Sequence, residues 1–65
     1  KEINDKNGIG RALSNIGTIY HSTGITNKAL EYYQKSLEIR KESKEKVGIE
    51  FVLLNIGSIY FMQKN

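Results

Sequence analysis

Residues 15–20 read Asn-Ile-Gly-Thr-Ile-Tyr, and residues 55–60 return as Asn-Ile-Gly-Ser-Ile-Tyr. Laid over residues 41–65, residues 1–25 match at Lys1/Lys41, Glu2/Glu42, Lys6/Lys46, Gly8/Gly48, Ile9/Ile49, Leu13/Leu53, Asn15/Asn55, Ile16/Ile56, Gly17/Gly57, Ile19/Ile59 and Tyr20/Tyr60. Those are 11 identities in 25 pairs at a lag of 40, where unrelated segments would share roughly one or two. Such a period marks a stacked repeat, in which each supersecondary unit buries its apolar face against its neighbours. The chain holds about one and a half units: unit one at about 8–46 and the first half of unit two at about 47–65.

Apolar spacing places helices in this frame. Ile9, Leu13, Ile16 and Tyr20 follow i, i+4, i+7, i+11, one stripe of a helix A from near Ile9 to near Ser22, widened by Ala12 and Ile19. Gly17 lies mid-helix, where it costs about 1 kcal/mol against Ala, and a close helix neighbour would explain it. Residues 21–27 form a turn, with Gly24 suited to stop helix A and Thr26 or Asn27 able to cap the next helix. Helix B runs from about Asn27 to Lys41 or beyond, with Ala29, Leu30, Tyr33 and Leu37 inward. Lys28, Glu31, Lys35 and Glu38 face outward, Glu31 and Lys35 in the favourable i, i+4 order. A further A helix spans about Val47 to Gln63. The expected fold is all-α, an antiparallel helix-turn-helix followed by one more helix.

Composition removes several functions. Sixty-five residues make at most one small domain with a marginal core. There is no Cys to staple it, and this absence says little about compartment. The first residue is Lys rather than Met, which suggests a segment of a longer or processed chain. Net charge is +3, but acidic and basic residues interleave, as in Lys41-Glu42-Ser43-Lys44-Glu45-Lys46. That is a solvated, ion-paired face and not a phosphate-binding stripe, so no nucleic-acid partner is expected. No apolar run is long enough to span a membrane, and no membrane partner is expected.

No catalytic residue, cofactor site or metal site emerges. His21 is the only histidine and has no identifiable nucleophile or second ionisable partner. With no Cys, a metal would need carboxylates, and these lack ligand spacing. Gly8-Ile9-Gly10 lacks the Lys-Ser/Thr tail and preceding strand of a phosphate loop. Tyr20, Tyr32, Tyr33 and Tyr60 fall at helical spacings and read as packing.

The order Leu13-x-x-Ile16-Gly17-x-x-Tyr20, followed by Gly24, Ala29 and Tyr33, resembles the tetratricopeptide repeat. Leu13 stands where that family often has Trp. Gly17 and Ala29 match its small residues at the A–B contact, and Tyr20 and Tyr33 its aromatics. Leu53, Ile56, Gly57 and Tyr60 repeat the first half of the signature. Two features depart from the family. Its usual period is about 34 residues; here the extra residues fall around 38–43, lengthening helix B. The Pro that commonly follows helix B is absent. Forty-residue versions are similar to the repeats of kinesin light chains and many bacterial signalling proteins. The HEAT repeat has a comparable period, but its Pro-centred pattern is missing.

The resemblance implies a non-catalytic protein-protein interaction module whose A helices line a concave groove for a peptide or protein segment. Carried onto this chain, the groove residues are Arg11, Ser14, Asn15, Thr18, His21 and Ser22 in unit one. Their counterparts 40 residues on are Phe51, Leu54, Asn55, Ser58, Phe61 and Met62. Asn15 and Asn55 match the family's asparagine that can bond a bound peptide backbone. A side-chain amide offers a donor and an acceptor together. Four polar positions of unit one, Arg11, Ser14, His21 and Ser22, become apolar in unit two, leaving 11 apolar residues among the 16 of residues 47–62. A helix apolar all round must be buried somewhere. Phe51, Leu54, Phe61 and Met62 therefore line a ligand groove, seal a homo-oligomer interface, or pack on a neighbouring helix. The structural alternative to a binding module is a self-association element with no external ligand. Lys44 and Glu45 are good helix formers at the B-to-A junction, and only Gly48 stands as a possible stop. One long helix is thus an option there, and two such chains would exchange segments.

Overall fold

In the computed structural model, which describes residues 6–63, three helices follow one another: α1 (Lys6–Ser22), α2 (Thr26–Ser43) and α3 (Lys46–Gln63). Among the described residues there is no strand. The elements match the periodicity, and α2 carries the extra length placed at residues 38–43.

Both turns are built the same way. Gly24 adopts φ +84°, the amide of Ile25 donates to the Tyr20 carbonyl at 2.9 Å, and that of Gly24 to the His21 carbonyl at 3.1 Å. At the end of α2, Lys44 takes φ 59°, Glu45 donates to the Arg40 carbonyl at 3.1 Å and Lys44 to the Lys41 carbonyl at 3.2 Å. These paired bonds satisfy carbonyls that a helix end would otherwise leave open. The continuous-helix option therefore fails. Lys44 enters the left-handed region at a cost of about 1–2 kcal/mol, offset by the packing of α3 back onto α2. Gly48, the expected stop, lies buried inside α3. The start of α2 also differs from expectation. Ile25 occupies the N-cap with no side-chain cap bond, so neither Thr26 nor Asn27 caps the helix.

The core lies along α2. Ala29, Tyr33 and Leu37 pack with Val52, Ile56 and Ile59 of α3, and Tyr20, Leu30 and Ile49 close its margin. Helices α1 and α3 both rest on α2 and touch each other little. The contact of α1 with α2 is made through small residues. Gly10, Ser14 and Gly17, at i, i+4 and i+7, are the buried residues of α1. At Gly17 a Cβ would fall 3.0 Å from the Tyr33 ring and 3.2 Å from the Ala29 carbonyl oxygen, so glycine is needed for the approach. The single inward stripe expected for α1 divides in two. Leu13 and Tyr20 are half-buried, while Ile9, Ile16 and Ile19 are exposed.

Candidate protein-interaction surface

The lag of 40 lets the surroundings of one A-type helix interpret the other. Val52, Ile56 and Ile59 of α3 are buried against α2, and their counterparts Ala12, Ile16 and Ile19 of α1 are exposed. Gly10, Ser14 and Gly17 of α1 are buried against α2, and their counterparts Glu50, Leu54 and Gly57 of α3 are exposed. Each A-type helix thus has one face for the helix before it and one for the helix after it. A third face remains, at i, i+4, i+7 and i+11: Arg11, Asn15, Thr18 and Ser22 on α1, and Phe51, Asn55, Ser58 and Met62 on α3.

The candidate residues fall across these faces. Arg11, Asn15, Thr18 and Ser22 are exposed, as are Phe51, Ser58 and Met62, and Asn55 is half-buried. Thr18 is tied down: its hydroxyl lies 2.8 Å from the Tyr33 hydroxyl and donates to the Ser14 carbonyl at 3.1 Å. The Ser22 hydroxyl donates to the Ile19 carbonyl at 2.9 Å. Ser14 is a correction. It is 1% exposed, and its hydroxyl lies 2.7 Å from that of Ser36, so it belongs to the α1–α2 contact and faces no ligand. Ser36 donates its one hydroxyl hydrogen to the Gly10 carbonyl at 2.7 Å, which makes Ser14 the donor to Ser36. Leu54 and Phe61 share the registers of Ser14 and the half-buried His21. They stand on the face that α1 turns toward α2, not in line with Phe51 and Met62.

The family profile of the tetratricopeptide repeat matches residues 8–65. The chain belongs to the tetratricopeptide repeat family. No curated protein and no solved structure matches it. In the terms of the repeat, α1 and α2 are helices A and B of one unit, and α3 is helix A of the next. Such repeats are in general protein-protein interaction modules rather than catalysts, and they bind proteins or peptides.

Within this repeat frame one residue joins all three helices and escaped the reading of the sequence. Arg40, 5% exposed, crosses between Gly10 of α1 and Gly48 of α3. A Cβ on either glycine would come 2.8 Å from the arginine stem. Arg40 Nε lies 3.9 Å from Glu45 Oε1, and neither atom has a hydrogen-bond partner. The arginine acts chiefly through its packed aliphatic stem. Two glycines near helix starts were the available signal, but nothing in the sequence names the side chain that crosses them.

The outer face of the repeat is polar and ion-paired. Glu31 meets Lys35 at 3.5 Å and Lys28 at 3.7 Å, and Lys6 of α1 meets Glu42 of α2 at 3.1 Å. Such exposed pairs contribute a few tenths of a kcal/mol at best. Tyr20 stacks on Tyr32 with ring centroids 5.7 Å apart, and the Lys35 ammonium lies 5.1 Å above Tyr32. Among the described residues no helix is long and apolar enough to cross a membrane, and no group of His, Asp or Glu is placed to hold a metal.

Proposed function

We propose that the chain binds an extended peptide or protein segment, without catalysis, along the third face of its A helices. The observation that carries this reading is the matched pair Asn15 and Asn55, in one register of two successive A helices, Asn15 exposed and Asn55 half-buried. Each amide can donate to and accept from the backbone of an extended ligand. Arg11 supplies a cation at one side. Phe51 and Met62, 49% and 58% exposed, supply apolar contacts at the other. Met62 adapts to irregular ligands through its unbranched chain. His21 borders this face from unit one, and Ser58 continues it in unit two. The 40-residue period supports placing the chain with the longer-period repeats similar to those of kinesin light chains and bacterial signalling proteins.

The test is selection of peptides from a displayed random library on the purified chain, followed by calorimetric titration of the best binder. Combined Asn15→Ala and Asn55→Ala should weaken it at least ~10-fold, and Phe51→Ser should do the same. Gln34→Ala, on the outside of α2, should leave affinity unchanged. Selected peptides that ignore both asparagines and Phe51 would overturn the assignment.

A further inference from the structure

Arg40 stands where the three helices converge. It lies one helical turn before Lys44, the left-handed residue at which the chain leaves α2. Its stem crosses Gly10, the fifth residue of α1, and Gly48, the third residue of α3. A Cβ on Gly10 would come 2.8 Å from Arg40 Cγ, and a Cβ on Gly48 would come 2.8 Å from Arg40 Cδ. The stem therefore presses on both helices at once, with no slack on either side. Helices α1 and α3 have little contact of their own. The distance between their N-terminal ends is set by what α2 places there.

Hydrogen bonding points the same way. A buried arginine kept for its charge closes short, charge-assisted bonds to a carboxylate. Here Arg40 Nε and Glu45 Oε1 stand 3.9 Å apart, and neither has a partner. What this side chain supplies is length, through its apolar stem.

Arg11 directly follows Gly10, and Phe51 comes three residues after Gly48. The two are counterparts at the lag of 40, and both are exposed. We propose that the Arg40 stem is a spacer that fixes the separation of Arg11 and Phe51, and with it the width of the third face at its N-terminal end. Arg40 is then a positioning residue, which touches no ligand and acts through the two helices it holds apart. Its effect on binding rests on the peptide-binding reading; the spacing itself does not. Distances between packed helix axes range over about 8–10 Å with the side chains at the contact. Loss of the stem should therefore draw the two ends together by about 2 Å.

The chain has no cysteine, so spin labels can be attached at Asn7→Cys and Val47→Cys alone. These exposed counterparts lie one turn before Arg11 and Phe51. Electron paramagnetic resonance should show the labels closer by about 2 Å in Arg40→Ala. They should be unmoved in Arg40→Met, whose unbranched side chain keeps most of the stem without the charge. Gly10→Ala should move them apart, because the added methyl group meets the stem. Gly10→Ala combined with Arg40→Ala should return them toward the parent distance. Ile59→Val, a core deletion near the other end of α3, should leave the distance unchanged, which separates spacing from a general loss of stability. Against a peptide selected on the parent chain, Arg40→Ala should weaken binding at least ~10-fold, and Arg40→Met should restore it. Equal label distances in the parent, Arg40→Ala and Gly10→Ala would overturn the spacer. If Arg40→Ala fails to fold, the Gly10→Ala distance decides. Unchanged peptide affinity in an Arg40→Ala chain whose labels have closed up would overturn the positioning role. The distances are read without ligand, so they decide the spacer even where no peptide binds the parent.

Discussion

Gly17 lies so close to Tyr33 that a Cβ atom there would come 3.0 Å from two carbons of the ring, with the Ala29 carbonyl oxygen 3.2 Å away. Gly57, its counterpart 40 residues on, has open space at the same position. The two glycines should therefore respond oppositely to one substitution. Gly17→Ala gains about 1 kcal/mol of helix propensity but must displace a buried ring or a backbone carbonyl, at about 1–3 kcal/mol. We expect a net loss of about 1 kcal/mol, because Tyr33 is itself 1% exposed and has nowhere to move. Gly57→Ala should stabilise by about 0.5–1 kcal/mol. Urea titrations in dilute solution would check both. A Gly17→Ala chain as stable as the parent would refute the close contact.

The two buried serines should be unequal. Removing the Ser36 hydroxyl strips the Gly10 carbonyl of its side-chain donor and Ser14 of its acceptor. Removing that of Ser14 leaves the Ser36–Gly10 bond in place. We expect Ser36→Ala to cost about 1–2 kcal/mol and Ser14→Ala about 0.5 kcal/mol. The double variant should be more stable than the sum of the singles implies, because the two hydroxyls share one network. Chemical denaturation of the four proteins measures this coupling, and strict additivity would contradict the hydrogen-bond chain.

Lys44 holds a left-handed conformation at φ 59° that glycine adopts without strain. Lys44→Gly should stabilise the chain by about 0.5–1 kcal/mol, part of the gain being lost to the greater freedom of glycine in the unfolded state. For a chain of this size that corresponds to a rise in Tm of about 2–8 °C. Thermal unfolding followed by circular dichroism would show it. A fall in Tm would mean that α2 runs on into α3 after all.

Most of the helical plan was legible because it depends on spacing. The turn at Gly24 was read correctly because glycine marks a left-handed position openly. The turn at Lys44 was hidden because lysine is a good helix former, and propensity there is overridden by the return of α3 onto α2. Gly17 with Ala29 signalled a close helix contact, and that contact is present. Ser14 was misplaced because a serine between Leu13 and Asn15 resembles the polar residues that face solvent. Its burial depends on Ser36, 22 residues away, supplying the acceptor. Arg40 was missed for the same reason: a charged side chain is buried here only because two glycines on two other helices make room.

Periodicity and the 40-residue echo were enough to establish three helices, their order and the small-residue contact, since these follow from local geometry and from which residues recur. They could not say which neighbour each face of α1 and α3 meets. A helix of this family packs against the helix before it and the helix after it, and an apolar stripe looks the same whichever one it serves. Close packing settles the matter: α2 can approach α1 only along Gly10, Ser14 and Gly17, and α3 only along Gly48, Val52, Ile56 and Ile59. Once those contacts form, Asn15 is left exposed and Asn55 half-buried in one register, and Leu54 and Phe61 are left exposed in another.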